Sequence, residues 1–151
     1  MRLLPLLVST TLGATVALVH TQWNAEIVDR LTTSVRSVVE AANHEPLLVP
    51  VDGAWELPLL TKWLAESGKV DAVVALGCLI EGETYHMQYI AQEAMAGLMK
   101  VQLDTRIPVV MGLLTTKSWA QADKRSQGDQ NLGIQWGHTV NRMLEYKHLL
   151  S

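Results

Sequence analysis

The sequence predicts an α/β protein in which a four-stranded parallel sheet is covered on both faces by helices. Two observations carry that prediction. Short apolar segments alternate with segments of helical period, four times over. The third apolar segment, "VDAVVALGCLI" at residues 70–80, is apolar on both faces, as a central parallel strand must be. A length of 151 residues suits one domain over 1–151, and no linker, repeat or low-complexity tract divides it.

The elements follow in order. The opening "MRLLPLLVSTTLGATVALV" combines Arg2 with an apolar run, but Ser9, Thr10, Thr11 and Gly13 interrupt that run. It reads as a strand followed by a polar turn rather than a secretory signal or a membrane span. Residues 14–19 are short and apolar, a buried strand. From 24 to 42, Ile27, Val28, Leu31, Val35, Val38 and Val39 form a helical stripe, with Asn24 as its N-cap. Residues 46–51 make a second strand, placed at an edge by Pro50. Gly53 and Ala54 turn the chain. Glu56 opens a helix that tolerates Pro58 in its first turn and runs to Ser67, stopped by Gly68. After the central strand, a helix over 86–103 carries Ile90, Ala94, Leu98 and Val101 on one side. Residues 107–114 form the fourth strand. Ser118 and Gln121 have capping-box spacing for a short helix, and a last helix spans 131–149.

Composition narrows the function classes. Net charge is −3 and pI about 5.9, which argues against a broad nucleic-acid-binding face. The single Cys78 forms no intrachain disulfide and suits a buried thiol in a reducing, cytoplasmic setting. No Cys/His set has zinc spacing, and neither GxGxxG nor GxxxxGK[ST] occurs. In such folds ligands sit beyond the carboxyl ends of the strands. The residues there are His20 to Asn24, Asp52 to Glu56, Glu81 to His86, and Thr115 to Lys117. Two tryptophans, an acid and a histidine are therefore expected on one rim.

Four segments, "DGAWELPLL", "GKVDAVVALGCLIEGETYHMQYIAQEAMAGL", "IPVVMGLLTT" and "QADKR", stand in an order and at a spacing that resemble the lumazine synthase family. The resemblance runs from about Gly13 to Leu144 and is most specific from Gly68 to Thr116. It implies a flavodoxin-like three-layer sandwich, with residues 1–12 as a leading strand or arm. It implies condensation of 5-amino-6-ribitylamino-pyrimidinedione with 3,4-dihydroxy-2-butanone 4-phosphate, giving 6,7-dimethyl-8-ribityllumazine for riboflavin biosynthesis. An imine forms, phosphate is eliminated, the ring closes and water leaves. No cofactor or metal is implied, and neither a nucleic-acid nor a membrane partner. Subunits of the family form homo-oligomers, pentamers or closed shells of pentamers, with active sites between neighbours.

The resemblance also assigns roles. Trp23 matches the aromatic position that stacks on the pyrimidine ring. Ala54, Trp55 and Glu56 match the segment that holds the pyrimidine and the ribityl chain. Asn24, Gly53 and the strand end Cys78, Leu79 and Ile80 fall among the substrate-binding positions. Glu83 and Thr84 match the turn whose backbone amides cradle phosphate. His86 matches the proton shuttle, a task suited to imidazole near neutral pH. Arg125 matches the phosphate-binding arginine. Met111 stands where the family usually has a phenylalanine reaching in from a neighbour.

Three positions depart from the family pattern. Glu81 stands where Arg is usual, Leu132 where Lys is usual, and the loop from Arg125 to Gly133 is one residue shorter. The two substitutions remove three units of positive charge from the rim. At about 8 Å and an effective dielectric of about 20, each unit is worth about 2 kcal/mol before screening. They favour a second reading, a relative that binds flavin or ribityl compounds, or builds a shell, without efficient synthesis. An unrelated flavodoxin-like binding module is a third. Without the resemblance, His86 is a polar residue at a helix start, Glu83 a dipole cap and Arg125 a solvated charge. Trp63, Trp119 and Trp136 are expected in the core or between subunits. His20, His44, His138 and His148 are given no role.

Overall fold

A computed structural model describes residues 13–151, so the expected leading strand over 1–12 lies outside the described residues. Nine main elements alternate: β1 (Thr15–Thr21), α1 (Ala25–Ala41), β2 (Glu45–Val51), α2 (Leu57–Glu66), β3 (Ala72–Ile80), α3 (His86–Thr105), β4 (Val109–Thr116), α4 (Trp119–Arg125) and α5 (Leu132–Leu150). Short 3₁₀ turns at Ala54–Glu56 and Gly128–Gln130 precede α2 and α5. All strand pairs are parallel, in the order β2-β1-β3-β4. The sheet is therefore the four-stranded parallel one expected, with β2 at an edge as Pro50 requires.

Alternation along the strands divides the core in two. Val16, Leu18, Val74 and Leu76 face α1 and α5, where Ile27, Leu31, Val35 and Val140 meet them. Ala17, Val19, Val73 and Ala75 face α2 and α3, where Leu57, Ala94 and Leu98 close the other side. Fully burying one such Leu or Val contributes about 1.5–3 kcal/mol. With both faces covered, β1 and β3 read as near-continuous apolar runs.

The strands run further toward the rim than their apolar cores. His20 and Thr21 belong to β1 because Thr21 still pairs with Val51. Thr115 and Thr116 belong to β4 because they pair with Leu79 and Ile80. Asn24 precedes α1 but does not cap it through its side chain. Its backbone is left-handed (φ 54°), and its amide is used elsewhere. At α4 half of the capping box forms, with Ser118 Oγ accepting from Gln121 N at 3.2 Å. Gln121 Oε1 takes the N–H of Lys117 instead of that of Ser118, at 2.9 Å. Asn131 caps α5 by accepting from Gly133 N at 2.9 Å. Of the three tryptophans expected in the core or between subunits, Trp136 packs against the core. Trp63 and Trp119 are solvent-exposed on the single chain, because each lies on the outer face of its helix.

Candidate functional site

The rim is assembled by three hydrogen bonds between neighbouring segments, two backbone to backbone and one from a side chain. Gln22 N donates to Asp52 O at 3.3 Å, tying the loop after β1 to the loop after β2. Asn24 Nδ2 donates to Cys78 O at 2.9 Å, tying the first loop to the end of β3. Glu81 N donates to Thr116 O at 2.9 Å, tying the turn before α3 to the end of β4.

Trp23, Gly53 and Glu56 converge. A Cβ added at Gly53 would stand 3.3 Å from Glu56 Oε2 and 3.6 Å from Trp23 Cδ1, so the glycine leaves room between ring and carboxylate. Trp23 is 72% exposed and Trp55 61% exposed. Both are largely open to solvent, while Ala54 is buried. Glu56 immediately precedes α2, where the helix dipole favours its charge.

Cys78 is buried, and Leu79 and Ile80 are half-buried at the end of β3. Burial pushes the Cys78 thiol up to about 11, so it stays protonated and does not serve as a nucleophile near neutral pH. Glu83, Thr84 and His86 are exposed on the turn that opens α3. No side chain caps α3 at Tyr85; His86 N reaches Thr84 Oγ1 at 3.4 Å. Tyr85 thus leaves the start of this long helix uncapped, and a helix N-terminus favours an oxyanion.

Two of the expected residues do not join this group within one chain. Met111 pairs with Ala75, five residues below Ile80, hence about 16 Å below the rim at strand rise. It is exposed on the edge strand. Arg125 lies on α4, in the layer of α1, where Asp123 receives Arg30 at 2.9 Å. His86 and Glu56 begin helices of the opposite layer. Arg125 Nη1 donates to the carbonyl of Gln121 at 3.1 Å. Leu132 packs half-buried against the core cluster.

The rim loops hold Asp52, Glu56, Glu81 and Glu83 against one ammonium, Lys117. Lys117 lines a cleft of about 550 Å³ with Glu81, Met87, Gln88, Thr115, Thr116 and Gln121. Lys117 is among the residues expected beyond the fourth strand. Sequence reasoning gave no role to Gln88, whose place one turn into α3 was its only signal. Among the described residues no helix is long and apolar enough to cross a membrane.

Comparison with known proteins shows the family. The family model described as 6,7-dimethyl-8-ribityllumazine synthase matches residues 13–148. A protein of that name from Desulfosudis oleivorans is 41% identical over 132 residues, covering 85% of this chain and 83% of its own. One from Deinococcus radiodurans is 40% identical over 139 residues, with 89% and 87% covered. One from Xylella fastidiosa is 34% identical over 141 residues, with 91% and 90% covered. A match that spans all nine elements and the rim loops between them places this chain in the 6,7-dimethyl-8-ribityllumazine synthase family.

Proposed function

We infer that the chain synthesises 6,7-dimethyl-8-ribityllumazine in riboflavin biosynthesis, from the ribitylamino-pyrimidinedione and the phosphorylated butanone. The family match across residues 13–148 carries this reading. The amine of the pyrimidinedione attacks the ketone and loses water to give an imine. Phosphate then leaves, and the second amine closes the ring with loss of water.

The rim supports a division of labour. Trp23 stacks on the pyrimidine ring, with Trp55 and the backbone of Asn24, Gly53 and Ala54 along its edge. Glu56 accepts ribityl hydroxyls. Cys78, Leu79 and Ile80 form the floor through backbone and apolar surface. The amides of Glu83 and Thr84 hold the phosphate, and His86 moves protons during imine formation and phosphate loss. Met111 and Arg125 complete the site of a neighbouring copy in a homo-oligomer, a pentamer or a shell of pentamers.

The acidic balance of the rim favours a second reading, a relative that binds ribityl ligands and turns over poorly. A rate assay separates the two. With both substrates saturating, product fluorescence above the uncatalysed background that is lost in His86→Ala supports the synthase. A background rate with bound, protein-quenched flavin supports the binding relative.

A further inference from the structure

Trp23 is 72% exposed, so little packing holds its ring. Its place is set instead by the residues on either side of it. Gln22 N donates to Asp52 O at 3.3 Å, and Asn24 Nδ2 donates to Cys78 O at 2.9 Å. These two clamps fasten the tryptophan between the loop after β2 and the end of β3. The first is backbone to backbone and does not depend on which side chain stands at Gln22. The second depends on the side chain of Asn24 alone.

The strand ladder leaves the acceptor available. Among the described residues β1 pairs with β3 from Val16–Ala72 to His20–Leu76. Cys78 lies beyond that ladder, and on its other side it pairs with Leu114. Asn24 reaches its carbonyl after the chain has left β1. The Asn24 backbone is left-handed, with φ 54° and ψ 46°. Gly, then Asn and Asp, take that conformation at least cost. Only Asn among them has an amide that donates. Gly has no side chain, and Asp would set a carboxylate against a carbonyl. The position thus combines a turn that few residue types suit with a bond that only one of them makes. A helix cap would also favour Asn, but Asn24 makes no side-chain cap bond to α1. We propose that Asn24 is a positioning residue: its amide holds Trp23 across Gly53 from Glu56, where the indole meets a flat heterocycle. The synthase reading makes that heterocycle the pyrimidinedione; the clamp itself does not depend on it.

Steady-state kinetics separate positioning from folding. Asn24→Gly keeps the left-handed turn and removes the amide. It is expected to raise KM for the pyrimidinedione about tenfold, while KM for the phosphorylated butanone moves less than about twofold. Asn24→Asp, similar in shape but without the donor, is expected to lose at least as much. In a Trp23→Ala chain, Asn24→Gly is expected to add less than about twofold, because Asn24 then has no ring left to place. Equal losses with and without Trp23 overturn the proposal, as does an unchanged KM or an equal rise for both substrates. A second readout needs no turnover. With 5-fluorotryptophan at all five tryptophans, the ¹⁹F signal absent from Trp23→Phe belongs to Trp23. In Asn24→Gly and Asn24→Asp it is expected to move toward the free amino-acid position, further than any other tryptophan signal. If it stays in place in both variants, Asn24 does not position the ring. A chain in which it moves but whose wild type shows no turnover fails the synthase reading and keeps the clamp.

Discussion

At the scale of single residues, Gly53 and His44 show how little side chain a position can need and how much it then controls. Gly53 is extended (φ −150°), so its value is space rather than backbone freedom. Gly53→Val would place a branched side chain between Trp23 and Glu56. KM for the pyrimidinedione is expected to rise about tenfold or more, while thermal unfolding stays within a few degrees of wild type. His44 is 6% exposed, and its Nδ1 accepts the N–H of Ala14 at 3.3 Å. Burial lowers its pKa from the usual value, against the opposing pull of Asp71 and Glu145. The sign follows from which state binds the proton first. As pH falls below about 6.5, the unfolded chain protonates His44 while the folded chain resists. Stability is therefore full above that pH and declines as pH drops toward the lowered folded value. Protonation would also remove the acceptor for Ala14, at the point where the chain enters β1. Melting temperatures from pH 8 to pH 5 should fall more steeply for wild type than for His44→Gln. Equal slopes would remove His44 from the account.

Elements show what patterning makes legible and what it does not. Among the described residues, the alternation of apolar strand and helical stripe sufficed for the four strands and five helices, because each strand carries an apolar run, buried on both faces in β1 and β3 and partly bare on the edge strands. Strand ends were placed short because His20, Thr21, Thr115 and Thr116 are polar yet still paired; a ladder does not stop where hydrophobicity does. Asn24 looked like a cap because Asn caps helices in general, but its amide is claimed by Cys78 O, 54 positions away in sequence. The Trp23–Gly53–Glu56 group was legible once topology put the loops on one rim. The Gln88–Glu81–Lys117 cleft was not, since its lining is set by coordinates rather than by spacing. Helix contacts were equally hidden. Gly133 and Gly137, one turn apart on α5, let α1 approach. A Cβ at Gly137 would stand 2.6 Å from Val38 Cβ, and one at Gly133 2.6 Å from Leu31 O. Inside a helix Ala is favoured over Gly by about 1 kcal/mol, so propensity alone makes Gly137→Ala stabilising. The contact reverses the sign, and we expect a net loss of about 2 kcal/mol, a drop of about 6 °C in Tm. Gly82→Ala, with nothing within 4 Å of the new Cβ, serves as the neutral control in the same thermal melt. A Gly137→Ala protein as stable as wild type would mean that α1 can slide away.

On the scale of the whole molecule, the single chain leaves large apolar side chains bare. Leu47 and Leu48 are exposed on edge strand β2, Leu59 and Trp63 on α2, and Met111 on edge strand β4. Open sheet edges and aromatic side chains of this kind ask to be covered. The residues proposed for the site are divided in the same way, with His86 opening a helix of one layer and Arg125 ending a helix of the other. If Arg125 serves the site of the adjacent copy, each site takes His86 from one chain and Arg125 from the next. That arrangement has a signature that no same-chain site can imitate. His86→Ala and Arg125→Ala chains, each nearly inactive alone, would be unfolded together and reassembled in equal amounts. A site is then intact when its His86 comes from an Arg125→Ala chain, half of the cases, and its Arg125 from a His86→Ala chain, again half. Roughly a quarter of wild-type activity should return in random closed rings. If His86 and Arg125 of one chain served one site, every site in the mixture would carry a defect and no activity would return. A recovered quarter would thus tie the exposed edges, the split layers and the catalytic rim to a single cause: the site is built between copies of the chain.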